Sequence, residues 1–327
     1  MTERQIMKNQ ANFIRPYYYG LLGGFGGLTG WFVNAVIFRG VENFTYPAFA
    51  FRGLVLGGLI GLSVAAYDGM VSRSLRRFGV LGLKGLLLGA AAGAISLPLA
   101  QWLFARMLPA SLSGLAGAYS ARLLLIGLAC WVVFGGVIGF VEVVGKGTQS
   151  FKGLAGGVVG GLVGGGFYEA MRPFAFTQDL RPSQNVQALS LTAMGLFIGL
   201  SIAFITTLLR SAWIEVLDGK FAGHPYDVTK YVSRERGGRG VRGIVGSDEL
   251  RANIYLPADK EVLPQHAILC YANEAPTLLA TPEAQKVDAK ILVNNYAVSN
   301  WPLSDGDEIQ IGTTRLRYHQ SRKAGYN

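Results

Sequence analysis

Two patterns of hydrophobic and polar positions divide the chain near residue 212. Before that point, apolar residues run almost unbroken over lengths near the roughly 20 residues that a helix needs to cross a bilayer. The runs fall at 17–38, 51–72, 85–107, 122–144, 153–171 and 188–209 and predict six transmembrane helices. After it, short alternating segments are broken by Gly, Pro, Asn and Asp, the pattern of an all-β sandwich. The predicted organisation is a cytosolic N-terminal segment (1–16), a six-span α-helical membrane domain (17–212), an all-β cytosolic domain (213–320) and a tail (321–327).

Positive charge flanks the runs unevenly. Arg4, Lys8 and Arg15 precede the first run, and Arg73, Arg76, Arg77 and Lys84 lie between the second and third. Lys146 and Lys152 separate the fourth from the fifth, and Arg210 follows the sixth. The alternate loops carry fewer cations, diluted by Glu42 and Asp179. Loops rich in Lys and Arg stay cytoplasmic, so both termini are assigned to the cytoplasm of a bacterial inner membrane. The same residues supply much of the net charge of +10, which removes the main argument for a nucleic-acid partner. Half of the chain is apolar and 15% is charged, which excludes disorder. Cys130, within a run, and Cys270, in a predicted strand, offer no disulfide framework and suit a reducing compartment for the β domain.

Glycine patterns the membrane half. Gly57-Gly58-Leu59-Ile60-Gly61 in the second run answers Gly135-Gly136-Val137-Ile138-Gly139 in the fourth and Gly195-Leu196-Phe197-Ile198-Gly199 in the sixth. The third run opens Lys84-Gly85 and the fifth Lys152-Gly153. These correspondences predict a repeated hairpin, two complete copies flanked by half copies in the first and last runs. In the fifth run Gly153, Gly157, Gly161 and Gly165 recur four apart, as do Gly156, Gly160 and Gly164. That spacing lines one side of a helix and lets backbones approach, a glycine zipper. Two uses are open: packing within one monomer, or an oligomeric interface or gate.

Ionisable residues near the runs are Asp68, Glu142 and Glu169. Asp68 and Glu142 hold corresponding ends of two repeat copies, so they are the candidates for an ion path. Placement within reach of water at the interface is the simpler reading.

In the β domain, turn-forming pairs Asp218-Gly219, Asn294-Asn295 and Asp305-Gly306 separate the predicted strands. Gly246, then Asn253-Ile254-Tyr255-Leu256, Gln265-His266-Ala267, Val293-Asn294-Asn295 and Leu303-Ser304-Asp305-Gly306-Asp307-Glu308-Ile309-Gln310-Ile311-Gly312 occur in an order that resembles the forkhead-associated (FHA) domain family over about 213–320. The resemblance implies a β-sandwich that reads phosphothreonine peptides through loops at one end, with His266 as a fold-stabilising histidine. The chain departs from the family at the phosphate-reading positions. Ser247 stands where the family keeps arginine, Leu263 where it keeps serine, and Val287 to Lys290 lack the Ser-x-Asn-Gly stretch. Phosphate recognition needs charge-assisted donors, best from arginine, so docking independent of phosphate is expected, with phosphate binding through Arg251 or the basic insert as the alternative. Ser247, Arg251, Asn294 and Asn295 are the candidate contact surface. An insert with Arg234, Arg236, Arg239 and Arg242 among glycines suits anionic lipid or an acidic partner.

No Cys or carboxylate stands near His224, His266 or His319 at metal-ligand spacing, and no phosphate-binding loop or nucleophile elbow is present. Neither a cofactor nor catalysis is expected. The sequence therefore predicts a homo-oligomeric membrane anchor or scaffold whose head docks a cytosolic protein. The competing reading is a channel or transporter regulated by that head.

Overall fold

A computed structural model describes residues 3–39, 45–107, 121–146, 150–175, 184–233, 241–257 and 259–321. Two compact units emerge. One comprises Asn12–Val71 with Phe78–Leu208, and the other Met1–Ala11, Ser72–Arg77 and Leu209–Asn327.

The first unit is helical. Its elements belong to α1 (Glu3–Ile37), α2 (Tyr46–Ala65), α3 (Tyr67–Val71), α4 (Leu75–Met107), α5 (Ala121–Lys146), α6 (Ser150–Ala175) and α7 (Gln184–Leu208). Four segments are long and apolar enough to cross a membrane: Arg15–Ile37, Tyr46–Val71, Leu75–Leu103 and Gln184–Leu208. The apolar stretch of α5, Leu124–Phe140, is shorter, and glycine dilutes the hydropathy of α6. Boundaries also differ from the sequence pattern. The predicted second span divides at Ala66 into α2 and α3, and α4 begins at Leu75, well before residue 85. The predicted N-terminal segment and first span are one helix, α1, which continues through Pro16.

Glycines carry the helix contacts. A Cβ on Gly53, Gly57 or Gly61 of α2 would collide with the backbone of Gly93, Gly89 or Gly85 of α4, respectively. Gly135 and Gly139 of α5 meet Gly157 and Gly153 of α6 in the same way, and Gly23 of α1 meets Gly195 of α7. Each pair descends one helix as it climbs the other, so the partners run antiparallel. The two stripes of α6 divide their work. Gly153, Gly157 and Gly161 lie against α5, while Gly156, Gly160 and Gly164 lie against Ile202, Ile198 and Met194 of α7. Gly165 abuts the Trp131 side chain of α5. Both stripes are thus occupied inside one chain.

Large apolar side chains face outward, among them Leu21, Phe25, Leu28 and Phe32 of α1 and Leu162 and Val163 of α6. Glycines at the helix contacts with large apolar side chains on the outer faces is an arrangement suited to lipid, where apolar side chains gain nothing by leaving their solvent. Between the helices, Leu56, Ile60, Phe134, Ile138, Met194 and Ile198 join one buried cluster.

The second unit contains a two-sheet sandwich. Its strands are β1 (Ala212–Val216), β2 (Pro225–Asp227), β3 (Gly243–Gly246), β4 (Ile254–Tyr255), β5 (Ala267–Ala272), β6 (Ala275–Ala280), β7 (Ile291–Val293), β8 (Tyr296–Ala297), β9 (Asn300–Pro302), β10 (Glu308–Ile311) and β11 (Thr314–Gln320). One sheet has the order β2-β1-β11-β10-β7-β8 and the other β4-β3-β5-β6-β9. Alternation along β1 buries Ala212, Ile214 and Val216, which join Val245, Leu269, Leu278, Val293, Ile309 and Tyr318 in a shared core. Two short helices complete the domain, α8 (Thr229–Val232) and α9 (Pro282–Lys286). Thr281 caps α9 by accepting the Ala284 amide at 3.1 Å.

Strands β8 and β9 have no signature in the sequence pattern. Both are too short to display a period, and Pro302 argues against a strand. Proline is accommodated because β9 lies at a sheet edge.

Candidate functional site

The strand registers decide which loops meet. Val245 pairs with Ala267, and Ala267 with Ala280, so the loops after β3, before β5 and after β6 share one end of their sheet. Ile311 pairs with Ile291, which brings the β10–β11 turn beside the start of β7. Asp259, between β4 and β5, joins that end to the other sheet. Its Oδ2 accepts the Thr313 and Thr314 amides at 2.6 and 2.9 Å and their hydroxyls at 2.9 and 3.0 Å.

At this end Ser247 is committed inward. Its hydroxyl donates to the Val262 carbonyl at 2.8 Å and its amide to the Leu263 carbonyl at 3.0 Å. Gly246 leaves no room for a side chain, because a Cβ there would strike the Pro264 carbonyl. The next residue, Asp248, accepts the Leu250 and Arg251 amides at 2.9 and 3.0 Å. Those amides, Arg251 first, hold its carboxyl below the usual range, and the charges of Arg251 and Arg76 add to the effect. An anion therefore stands beside the position at which the family places its phosphate-binding cation. Arg251 itself is exposed.

His266 is buried and accepts the Leu263 amide on Nδ1 at 3.2 Å. Burial lowers its pKa, against the Lys290 carbonyl and the charge of Asp259. Thr281 braces the same turn by donating its hydroxyl to the Gln265 carbonyl at 2.7 Å. This network is structural.

Asn294 and Asn295 are placed elsewhere. Val293 pairs with Ile309 and Tyr296, so the two asparagines form the β7–β8 turn at the opposite end of the strands from Ser247 and Arg251. Both adopt positive φ, 51° and 71°, where asparagine is better tolerated than most side chains. Asn294 donates its amide to Asp307 Oδ1 at 2.8 Å and accepts the Glu308 amide at 3.0 Å. The four-residue surface read from sequence is therefore divided between two ends.

Arg242 is exposed just before β3, whereas Arg234, Arg236 and Arg239 lie outside the described residues. So do the side chains of Asp68, on α3, and Glu142, on α5. Glu169 is buried against Gly127 and accepts the Trp131 indole N–H at 3.1 Å. Sequence reasoning missed the Asp259 clasp, whose partners lie 54 and 55 residues away. No local pattern announces such a pair. Among the described residues no cluster of three potential metal ligands occurs.

Residues 243–312 match the family model of the FHA domain, so the C-terminal third carries an FHA domain. The chain is similar to an FHA domain studied for phosphothreonine-dependent interactions, at 22% identity over 34% of this chain and 97% of that one, with a TM-score of 0.27. It is also similar to the FHA domain of the CT664 protein from Chlamydia trachomatis, at 21% identity over 34% of this chain and 98% of that one, with a TM-score of 0.28. Mycobacterium tuberculosis EmbR in complex with a low affinity phosphopeptide aligns at 11% identity over 86% of this chain and 72% of that one, with a TM-score of 0.27. A comparison with curated proteins finds no match.

Proposed function

We propose that this protein is a bacterial inner-membrane anchor whose FHA domain docks a cytosolic protein without requiring phosphothreonine. The observation that carries the reading is the loop after β3. Ser247 spends its hydroxyl on Val262, and the Asp248 carboxylate occupies the neighbourhood where phosphate needs a cation. The domain keeps the scaffold of the family and lacks its phosphate chemistry. In this reading the six long helices all span the membrane, both termini are cytoplasmic, and the protein has no catalysis of its own.

The body supports an anchor over a conduit. Leu56, Ile60, Phe134, Ile138, Met194 and Ile198 fill the space between the helices with apolar side chains, and an ion path needs polar groups or water there. The facing glycines also give sense to the sequence repeat. Helices α2 and α4 form one hairpin and α5 and α6 a second, while α7 and α1, the two half copies, face each other as a third. With the glycine stripes engaged inside the chain, a homo-oligomer would have to use other surfaces.

The test is fluorescence anisotropy of the detergent-solubilised protein with a phosphothreonine peptide library and its unphosphorylated counterpart. Purification from native membranes, with and without residues 213–327, accompanies it. The reading expects no phosphate-dependent binding and a stoichiometric cytosolic protein lost on the deletion. Selective, micromolar phosphopeptide binding, or no partner besides lipid, would sink it.

A further inference from the structure

The loop after β3 already has an occupant. Segment Ser72–Arg77 belongs to the same compact unit as the sandwich. It turns at Arg73, whose φ is 50°, and is braced where the Arg77 amide donates to the Ser74 hydroxyl at 3.1 Å. From that turn the Arg77 guanidinium donates to the Ala252 carbonyl at 2.9 Å and lies 4.8 Å from the centre of the Tyr255 ring. Ala252 and Tyr255 are both buried, and Tyr226 holds Tyr255 in place by donating to its carbonyl at 2.8 Å. Burial raises the Tyr255 pKa, Glu249 raises it further, and Arg77 opposes both. The Arg76 charge adds a smaller share to the lowering of the Asp248 carboxyl, after the Arg251 and Leu250 amides.

These contacts form a consistent set. A carbonyl, an aromatic face and two carboxylates, Asp248 and Glu249, are what a guanidinium binds and what a phosphate avoids. Lysine would satisfy the charge but not the planar stacking. We propose that the loop after β3 is a guanidinium-reading site, inverted in charge from a phosphate-reading one, and that its occupant is the chain's own Ser72–Arg77 segment. Arg77 is the inserted group and Arg76 steers by charge. The domain is thereby capped in cis at the end where its family reads peptides, and a second protein must displace the segment or use another face. This inference rests on the loop and not on the anchor reading, so either can fail without the other.

Hydrogen–deuterium exchange on the full chain in detergent micelles tests it, read on peptides covering Ser247–Leu256. Arg77→Ala is expected to speed exchange there at least tenfold, and Arg77→Lys by a smaller factor, with β10 and β11 unchanged. Arg77→Lys keeps the positive charge and removes only the planar group. Tyr255→Leu, which leaves the segment intact, should reproduce the Arg77→Ala effect in Ser72–Arg77. A photoreactive benzoylphenylalanine at Leu250, which is 45% exposed, should crosslink to the 72–77 peptide of the same chain. Unchanged exchange in all variants, crosslinks only to other segments, or crosslinks between two chains would overturn the cis assignment. Protection of Ser247–Leu256 by a phosphothreonine peptide would overturn the inverted charge preference.

Discussion

Asp259 and Thr313 bind the two sheets of the FHA domain together: the carboxylate takes the threonine amide at 2.6 Å and its hydroxyl at 2.9 Å. The same oxygen serves Thr314, and the other oxygen accepts the Glu261 amide at 3.0 Å. Burial pushes the Asp259 pKa up, but the hydrogen bonds from Glu261, Thr313 and Thr314 together outweigh it and hold the carboxyl below its usual value.

Asp259→Ala should therefore cost about 3 kcal/mol, since it strands buried amides and hydroxyls that were bonded to a charge. Because the folded pKa lies below the unfolded one, the stability Asp259 supplies is complete above about pH 4 and is lost as the pH falls through the folded value. Denaturant unfolding of the full protein, followed by tryptophan fluorescence, is expected to show a lower midpoint for the variant at pH 7. The gap should close at strongly acidic pH.

His266 is depressed in the folded state by burial, so the unfolded chain takes up its proton first. Stability is unaffected above about pH 6.5 and declines as pH falls below that value, until the folded-state histidine also takes up its proton. In His266→Gln this segment of the melting-temperature profile should be flat. An unchanged slope would assign the pH dependence to another group.

Asn294→Ala should destabilise the domain by about 1–2 kcal/mol, through two lost hydrogen bonds and a positive φ that alanine tolerates poorly. Partner capture by the variant should be unchanged under conditions where it is folded. Loss of capture without loss of thermal stability would return Asn294 to the contact surface.

Gly57→Val should lower the melting temperature of the detergent-solubilised protein sharply, because the side chain meets the Gly89 and Gly93 backbone rather than a yielding side chain. The cost of overpacking is at least about 1–3 kcal/mol. Gly79 provides the internal control, with nothing within 4 Å of an added Cβ. Gly79→Ala should be silent or slightly stabilising, as expected for a helical glycine.

Much of the domain was legible because the longer β segments carry their own period. The positions of β1, β3, β5, β10 and β11 follow from alternation, and the Asn294-Asn295 and Asp305-Gly306 turns from backbone preference. The contact surface was less legible. Ser247 and Asn294 stand out in sequence for the same reason, polarity at a loop, yet β7 carries the chain from one end of the sandwich to the other between their two loops.

Sequence alone determined the seam near residue 212, the periods on either side of it, and the glycine stripes spaced four apart along α6. It determined these because the direction of a side chain about its own helix or strand depends only on local geometry. Tertiary structure decided which partner each face meets. Gly157 lies against α5 and Gly156 against α7, Asp259 reaches Thr313, and Arg77 enters the loop that Asp248 and Tyr255 prepare. Those pairings join residues far apart in the chain, and the energy that selects them comes from close packing and from burying polar groups with their partners. Neither leaves a local mark in the order of the amino acids.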